Sequence, residues 1–169
     1  HINAYNFDLP IPESEDYQKR FFMFRAMLCW GWGTWANKWQ MFENDPLAQD
    51  IYYIKNTFSK KQIKRFNLEG SYNFWSQVEA NINGKLDNTW DILWFSYIQK
   101  NKGLCPTPYY SMVRNIGHDG SGVHCGKNID YTRAKINNNL VHIFPNASTE
   151  NVDQVLKIIQ HLRRYSIIL

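Results

Sequence analysis

Apolar positions at helical spacing recur along most of this chain, separated by short polar breaks. The clearest run is 88–100, where Trp90, Leu93, Trp94, Tyr97 and Ile98 form one stripe and Asn101-Lys102-Gly103 closes it. Upstream, 34–42 reads as a helix with Trp35, Trp39 and Phe42 on one face and Thr34 as its cap. Asp45-Pro46 opens a short helix carrying Leu47, Ile51 and Ile54, with proline in its first turn. Further helices follow at 59–66, ended by Asn67 and Gly70, and at 72–82, stopped by Asn83-Gly84. A last amphipathic helix over 151–165 presents Val152, Val155, Ile158, Ile159 and Leu162. Strand signals are sparse: the apolar run 21–28, and two short pieces, 103–108 and 110–116, around Pro106 and Pro108. Residues 1–20 read as irregular, because Pro10, Pro12 and the acidic Glu13, Glu15 and Asp16 break any period. The pattern predicts a helix-rich α+β or α/β fragment whose few strands make a poor sheet alone.

Composition sharpens this picture at one point. The 169 residues suffice for one domain with a real core, yet aromatics reach 16%, which is high. Net charge is +4, and the basic residues are dispersed except for Lys60-Lys61-Gln62-Ile63-Lys64-Arg65, which reads as the solvated face of a helix. Three cysteines without a C-x-x-C pair (Cys29, Cys105, Cys125) form no disulfide framework and favour a reducing compartment. No apolar run approaches a membrane span, and Asn146-Ala147-Ser148 is the lone glycosylation sequon.

The aromatics concentrate in Cys29-Trp30-Gly31-Trp32-Gly33-Thr34-Trp35, with Trp39 one turn on. A fold needing only bulk uses aliphatic residues, which carry no N–H to satisfy. Glycines between indoles let something flat approach closely, and a sugar ring stacking its C–H face is the first ligand class expected. Trp30 and Trp32 are the better pocket candidates, since Trp35 and Trp39 have the spacing of buried packing. Asp91 starts the strong helix between Trp90 and Trp94, where a carboxylate suits general-base work on an acceptor hydroxyl. The structural alternative is that Asn88 caps this helix and Asp91 completes a capping-box-like turn. The loop 117–126 holds four glycines, whose backbone N–H groups suit an anion such as a diphosphate. Ser121 adds a hydroxyl, and His118 or His124 suits a metal or phosphate oxygen, although H-x5-H-C fits no tight zinc pattern. The bland alternative is a surface loop.

Taken in order, Trp30-Gly31-Trp32-Gly33-Thr34-Trp35, then Trp90-Asp91, then Arg114-Asn115-Ile116-Gly117 running into Gly120-Ser121-Gly122-Val123-His124-Cys125-Gly126, the chain resembles the C-terminal half of bacterial inverting, nucleotide-sugar-dependent glycosyltransferases of the GT-A fold. It is similar, more distantly, to N-acetylglucosaminyltransferase I. The resemblance covers 5–126 and places Asp91 at the catalytic base. It assigns Trp30, Gly31, Trp32 and Trp90 to the wall of the donor and acceptor pocket. Gly120, Ser121 and Gly122 fall in a lid over the donor diphosphate, Arg114 among the donor- and acceptor-binding residues, and His124 at a metal or phosphate contact. The family's acidic D-x-D-like motif for Mn²⁺ or Mg²⁺ is missing; Glu15-Asp16 follows prolines, not a hydrophobic strand. With His1 rather than Met first, residues 1–169 are therefore expected to be the acceptor-side portion of a larger catalytic domain, inactive alone, with the main metal ligands outside it.

The partners this implies are a nucleotide-sugar donor and a glycan or glycolipid acceptor in polysaccharide biosynthesis. The location implied is cytoplasmic, with peripheral association at the inner face of the membrane left open. A non-catalytic carbohydrate-binding module would explain the tryptophans but needs neither Asp91 nor a glycine-rich lid. A nucleic-acid binder would interleave aromatics with Lys and Arg. Here tryptophans sit with glycines and the basic run lies elsewhere, so nucleic acid is not the expected partner.

Overall fold

The structure, a computed structural model, describes residues 1–11, 14–85, 89–120, 135–146 and 148–166. Among them it is mixed α+β, with seven α-helices and four short strands in two small sheets. Strand β1 (Ile2–Asn3) pairs antiparallel with β3 (Trp32–Gly33), placing Asn3 opposite Trp32. Strand β2 (Phe21–Phe24) pairs antiparallel with β4 (Cys105–Pro108), from Phe21 opposite Pro108 to Phe24 opposite Cys105. Pro106 and Pro108 alternate with Cys105 and Thr107, so the residues that keep an N–H recur every second position, as a ladder to one neighbour requires. Tyr109 continues that alternation by donating to the Arg20 carbonyl at 3.3 Å. The other edge of β2 is covered by the tail: Phe21 N–H donates to Ile143 at 2.9 Å and Asn151 N–H to Met23 at 3.0 Å.

One buried side chain ties the two sheets together. Asn3 has no exposure; its amide nitrogen donates to the Ala26 carbonyl at 3.0 Å and to Thr107 Oγ1 at 2.8 Å. Its oxygen accepts from Leu28 N–H at 2.8 Å and engages His1 Nε2 at 2.9 Å. Every hydrogen-bonding position of the amide is thus used, which makes its burial tolerable.

The helices pack around an aromatic core. Helix α6 (Trp90–Lys100) buries Ile92, Leu93, Trp94, Phe95, Ser96 and Ile98, so most of its circumference faces protein. Phe95 stacks on Phe66 at 4.2 Å between ring centroids, and Phe66 meets Trp75 edge-on at 5.4 Å. Phe66 ends α4 (Lys60–Phe66), whose start is a capping box between Ser59 and Gln62; its lysines face solvent, as its charge run predicts. Trp75 begins α5 (Trp75–Ile82), three residues later than the pattern suggests. Helix α7 (Val152–Ser166) buries Val155, Ile158, Ile159 and Leu162, while Val152, expected in the same stripe, is exposed. Asp16 lies in a one-turn helix, α1 (Glu15–Gln18), capped by Ser14.

Four further expectations are corrected. Helix α2 (Ala36–Glu43) starts after Trp35, which occupies the N-cap position with no side-chain hydrogen bond; Thr34 Oγ1 is buried and makes no bond among the described residues. Pro46 opens no helix: 45–50 is a run of turns, and α3 (Ile51–Thr57) begins where Asp50 accepts from the amides of Tyr52 and Tyr53, leaving Leu47 exposed. Residues 110–116 form no strand, because their polar groups serve scattered partners. Met112 N–H donates to Ala4, Asn137 N–H reaches Ser111, and the Ser111 hydroxyl turns back to Val113. Trp90, at the first turn of the α6 stripe, is 43% exposed rather than buried, and the N-cap of α6 is Thr89, with no side-chain hydrogen bond, rather than Asn88, which lies outside the described residues.

Candidate functional site

The Trp-Gly segment is the hub to which the other two motifs come. Asn3 opposes Trp32 across the β1–β3 pair, and the His1 imidazole stacks on the Trp32 indole with centroids 5.3 Å apart and planes at 14°. The imidazole is fixed in turn: Trp94 donates its indole N–H to Nδ1 at 3.0 Å, which leaves Nε2 to donate to Asn3 Oδ1. On its other contacts Trp32 meets Trp90 at 5.0 Å and Trp39 at 5.8 Å. Trp39 then touches Trp90, Trp94 and Phe42. The result is an indole surface spanning β3, α2 and the first turn of α6, rooted in the core at Trp94 and open at Trp90.

Asp91 follows Trp90 on α6 and is half-buried. Its Oδ1 accepts the neighbouring Ile92 N–H at 2.9 Å, one of the amides a helix leaves unpaired at its start. Among the described residues Oδ2 has no hydrogen-bond partner. The carboxylate is therefore oriented through one oxygen, while the second remains available to a hydroxyl.

Trp30 points the opposite way along the segment. Its half-buried ring meets Tyr5 at 4.7 Å and the buried ring of His118 at 5.2 Å, both edge-on. Gly31 between the tryptophans has φ +60, and its carbonyl accepts from Ala4 N–H at 2.8 Å. A Cβ there would sit 2.8 Å from Val113 Cγ1, so the close approach that this glycine permits is taken by Val113 of the chain itself. His118 and Val113 thus bring the start of the glycine-rich segment onto Trp30 and Gly31. Arg114 is exposed, and Gly120 has φ +103, a left-handed conformation suited to glycine. Ser121, Gly122 and His124 lie outside the described residues.

Among the described residues no group of three or more His, Cys, Asp or Glu side chains is placed to hold a metal ion. Likewise none of their helices is long and apolar enough to cross a membrane. A separate cleft of about 280 Å³ lies beside β2, lined by Phe21, Tyr109, Phe144 and Asn151 among others. It shares no lining residue with the indole surface.

Two features of the site escape a reading of sequence. The His1–Asn3 support of Trp32 is invisible because a lone asparagine in an irregular stretch carries no periodic signal. Trp35, assigned to packing by its spacing to Trp39, is 51% exposed, because it precedes the helix and stands off its buried face. Comparison with protein-family models, with curated proteins and with solved structures finds no match.

Proposed function

We propose that this chain is the acceptor-side portion of an inverting, nucleotide-sugar-dependent glycosyltransferase, with Asp91 as the base. The observation that carries this reading is the double contact of the Trp-Gly segment. Trp32 meets Trp90, next to Asp91, while Trp30 meets His118 at the start of the glycine-rich stretch. The Trp-Gly segment thus has Trp90-Asp91 against its Trp32 and the start of the glycine-rich stretch against its Trp30, and stacking faces stand beside an oriented carboxylate on the Trp32 side.

The chemistry needs little more from these residues. The acceptor sugar stacks on Trp90 with a hydroxyl near Oδ2 of Asp91. As that oxygen attacks the anomeric carbon, its proton passes to Asp91, the new glycosidic bond forms, and the bond to the nucleoside diphosphate breaks with its electron pair leaving on phosphate. In this reading, backbone N–H groups of the glycine-rich sequence 117–126 suit the charge that grows on the departing diphosphate. In this family a divalent metal, Mn²⁺ or Mg²⁺, neutralises the same charge when bound. The described residues do not form a site for it, so its ligands in this reading lie elsewhere, with His124 as one contact.

The test is Asp91→Asn in the complete enzyme. Asparagine keeps the oxygen that accepts from Ile92, so the helix start survives while proton transfer is lost. Transfer should fall by about 10²–10⁴-fold with donor binding unchanged. Full transfer activity in that variant removes the base from Asp91. Glycan binding that is independent of nucleotide and metal, in a complete enzyme with no transfer activity, would instead identify a carbohydrate-binding module.

A further inference from the structure

We propose that the cleft beside β2 is a separate binding site for a small planar heterocycle with an N–H donor next to an acceptor, the edge chemistry of a nucleobase. The inference does not rest on the glycosyltransferase reading, because none of the residues assigned to the donor or acceptor lines this cleft.

The site arises where the outer edge of β2 runs out of partners. Pro106 and Pro108 have no N–H, so the ladder to β4 runs through Phe22 and Phe24, and Phe21 and Met23 turn their backbone groups to the opposite edge. The tail fills that edge at both ends. Ile143, in a parallel bridge with Arg20, donates its N–H to the Lys19 carbonyl at 2.9 Å and accepts from the Phe21 N–H at 2.9 Å. Further along, the Met23 carbonyl accepts from the Asn151 N–H at 3.0 Å. To continue the parallel ladder, residue 145 would donate to Phe21 and accept from Met23. That residue is proline, which has no N–H to give. The Phe21 carbonyl and the Met23 N–H therefore have no hydrogen-bond partner among the described residues. Both residues line the cleft of about 280 Å³, together with Ile143, Phe144, Pro145 and Asn151.

What fits the gap follows from its length and its wall. A carbonyl and the N–H two residues on call for one donor and one acceptor side by side. An extended polypeptide has no room there, since the edge on either side is already held by Ile143 and Asn151. A single trans amide cannot meet both groups, because its N–H and C=O point in opposite directions. The Watson–Crick edge of a base carries donor and acceptor on neighbouring atoms, facing the same way. The wall adds a flat ring: Phe144 stacks on Phe21 with centroids 4.5 Å apart and planes at 16°, yet stays 51% exposed. Water in the cleft would satisfy the backbone pair but gains nothing from that ring, whereas a heterocycle uses both. Arg20 also lines the cleft; its Nε is held by Asp16 at 2.8 Å, and its Nη groups are unpaired among the described residues, which suits an attached phosphate.

Backbone amide NMR of the purified chain supplies the test. The probes are adenine, uracil, AMP, and both bases fully methylated at the donor nitrogen. Adenine or uracil should shift the Met23 amide saturably, and its methylated form, which leaves the Phe21 carbonyl unpaired, should bind about tenfold more weakly. Phe144→Ala should weaken binding of the base by about tenfold, while Phe144→Tyr keeps it. Because the ring is half exposed, both variants should melt close to the parent. Tighter binding of AMP than of adenine would identify a nucleotide as the natural form, and equal binding a free base or nucleoside. No saturable Met23 shift with any probe, equal affinity for the methylated bases, or full affinity in Phe144→Ala would overturn the site. These outcomes leave Asp91 untouched, since its test is transfer activity.

Discussion

Glu150 clasps Arg25 through both backbone and side chain. Its Oε1 accepts the Arg25 amide at 3.0 Å and the guanidinium Nε–H at 2.7 Å, while Oε2 lies 2.7 Å from Nη2. Both side chains are largely buried, at 13% and 12% exposure. Glu69, in a left-handed backbone conformation at φ 57, takes the remaining Nη1 at 2.9 Å. Burial opposes the charge on Arg25, but the hydrogen bonds and charges of Glu150 and Glu69 outweigh it and hold the pKa above the usual arginine value. Removing one member leaves a buried charge short of a partner, so Glu150→Ala should cost about 3 kcal/mol in urea unfolding. Arg25→Met combined with Glu150→Leu should recover most of that loss. Additive penalties in this double-mutant cycle would show that the clasp is not a coupled unit.

How much of this is legible in the sequence depends on whether a residue's partners are near in the chain. The helix after Ser59, the Asn83-Gly84 stop and the α6 stripe follow from local spacing, and the structure has them. The clasp joins residues 125 positions apart, and Asn3 reaches Thr107 across 104; no period encodes either. Helix starts are misplaced where two local signals compete. Asp50 with two amides to satisfy overrides Pro46, and the one-turn spacing of Trp35 and Trp39 hides the fact that Trp35 lies outside the helix. Trp90 misleads for a related reason: its place in the α6 stripe is real, but the stripe at that end faces the indole surface rather than the core. The site itself is legible as motifs, and their convergence is not.

Cys105 and Cys29 should differ sharply in reactivity. Burial pushes the Cys105 thiol from 9.0 up to about 12, and the residue is fully buried in β4, whereas Cys29 is exposed. Peptide mapping after brief alkylation of the native chain at pH 8 should find Cys29 modified and Cys105 intact. The same shift has a thermodynamic sign. The folded state holds a proton that the unfolded state releases above pH 9.0, so this contribution to stability is complete below that pH and is lost as pH rises towards about 12. The slope should approach 1.4 kcal/mol per pH unit at most, by about one proton's worth of linkage. Cys105→Ala should flatten that segment of the curve; an unchanged alkaline slope would assign it to other groups.

The two glycines of the Trp-Gly segment should respond differently to the same substitution. Gly31 combines φ +60 with a space already filled, since an added Cβ would lie 2.8 Å from Val113 Cγ1 and 3.0 Å from Cγ2. Gly31→Ala therefore meets both the left-handed strain of an L-residue, about 1–2 kcal/mol, and a contact that forces Val113 to move. Gly33 has ordinary φ, and a methyl group added there would meet nothing within 4 Å, so Gly33→Ala should be nearly neutral in thermal unfolding. Val113→Ala should relieve the steric part of the Gly31→Ala penalty and leave the backbone part. Since Val113 and His118 carry the glycine-rich stretch onto Trp30, Gly31→Ala should also change the environment of the Trp30 indole, read as a shift of its N–H resonance. Tryptophan signals from Trp90 and Trp94, anchored through α6 and His1, should stay in place. A Gly31→Ala chain with parental stability and an unmoved Trp30 resonance would mean that Val113 does not pack on this turn.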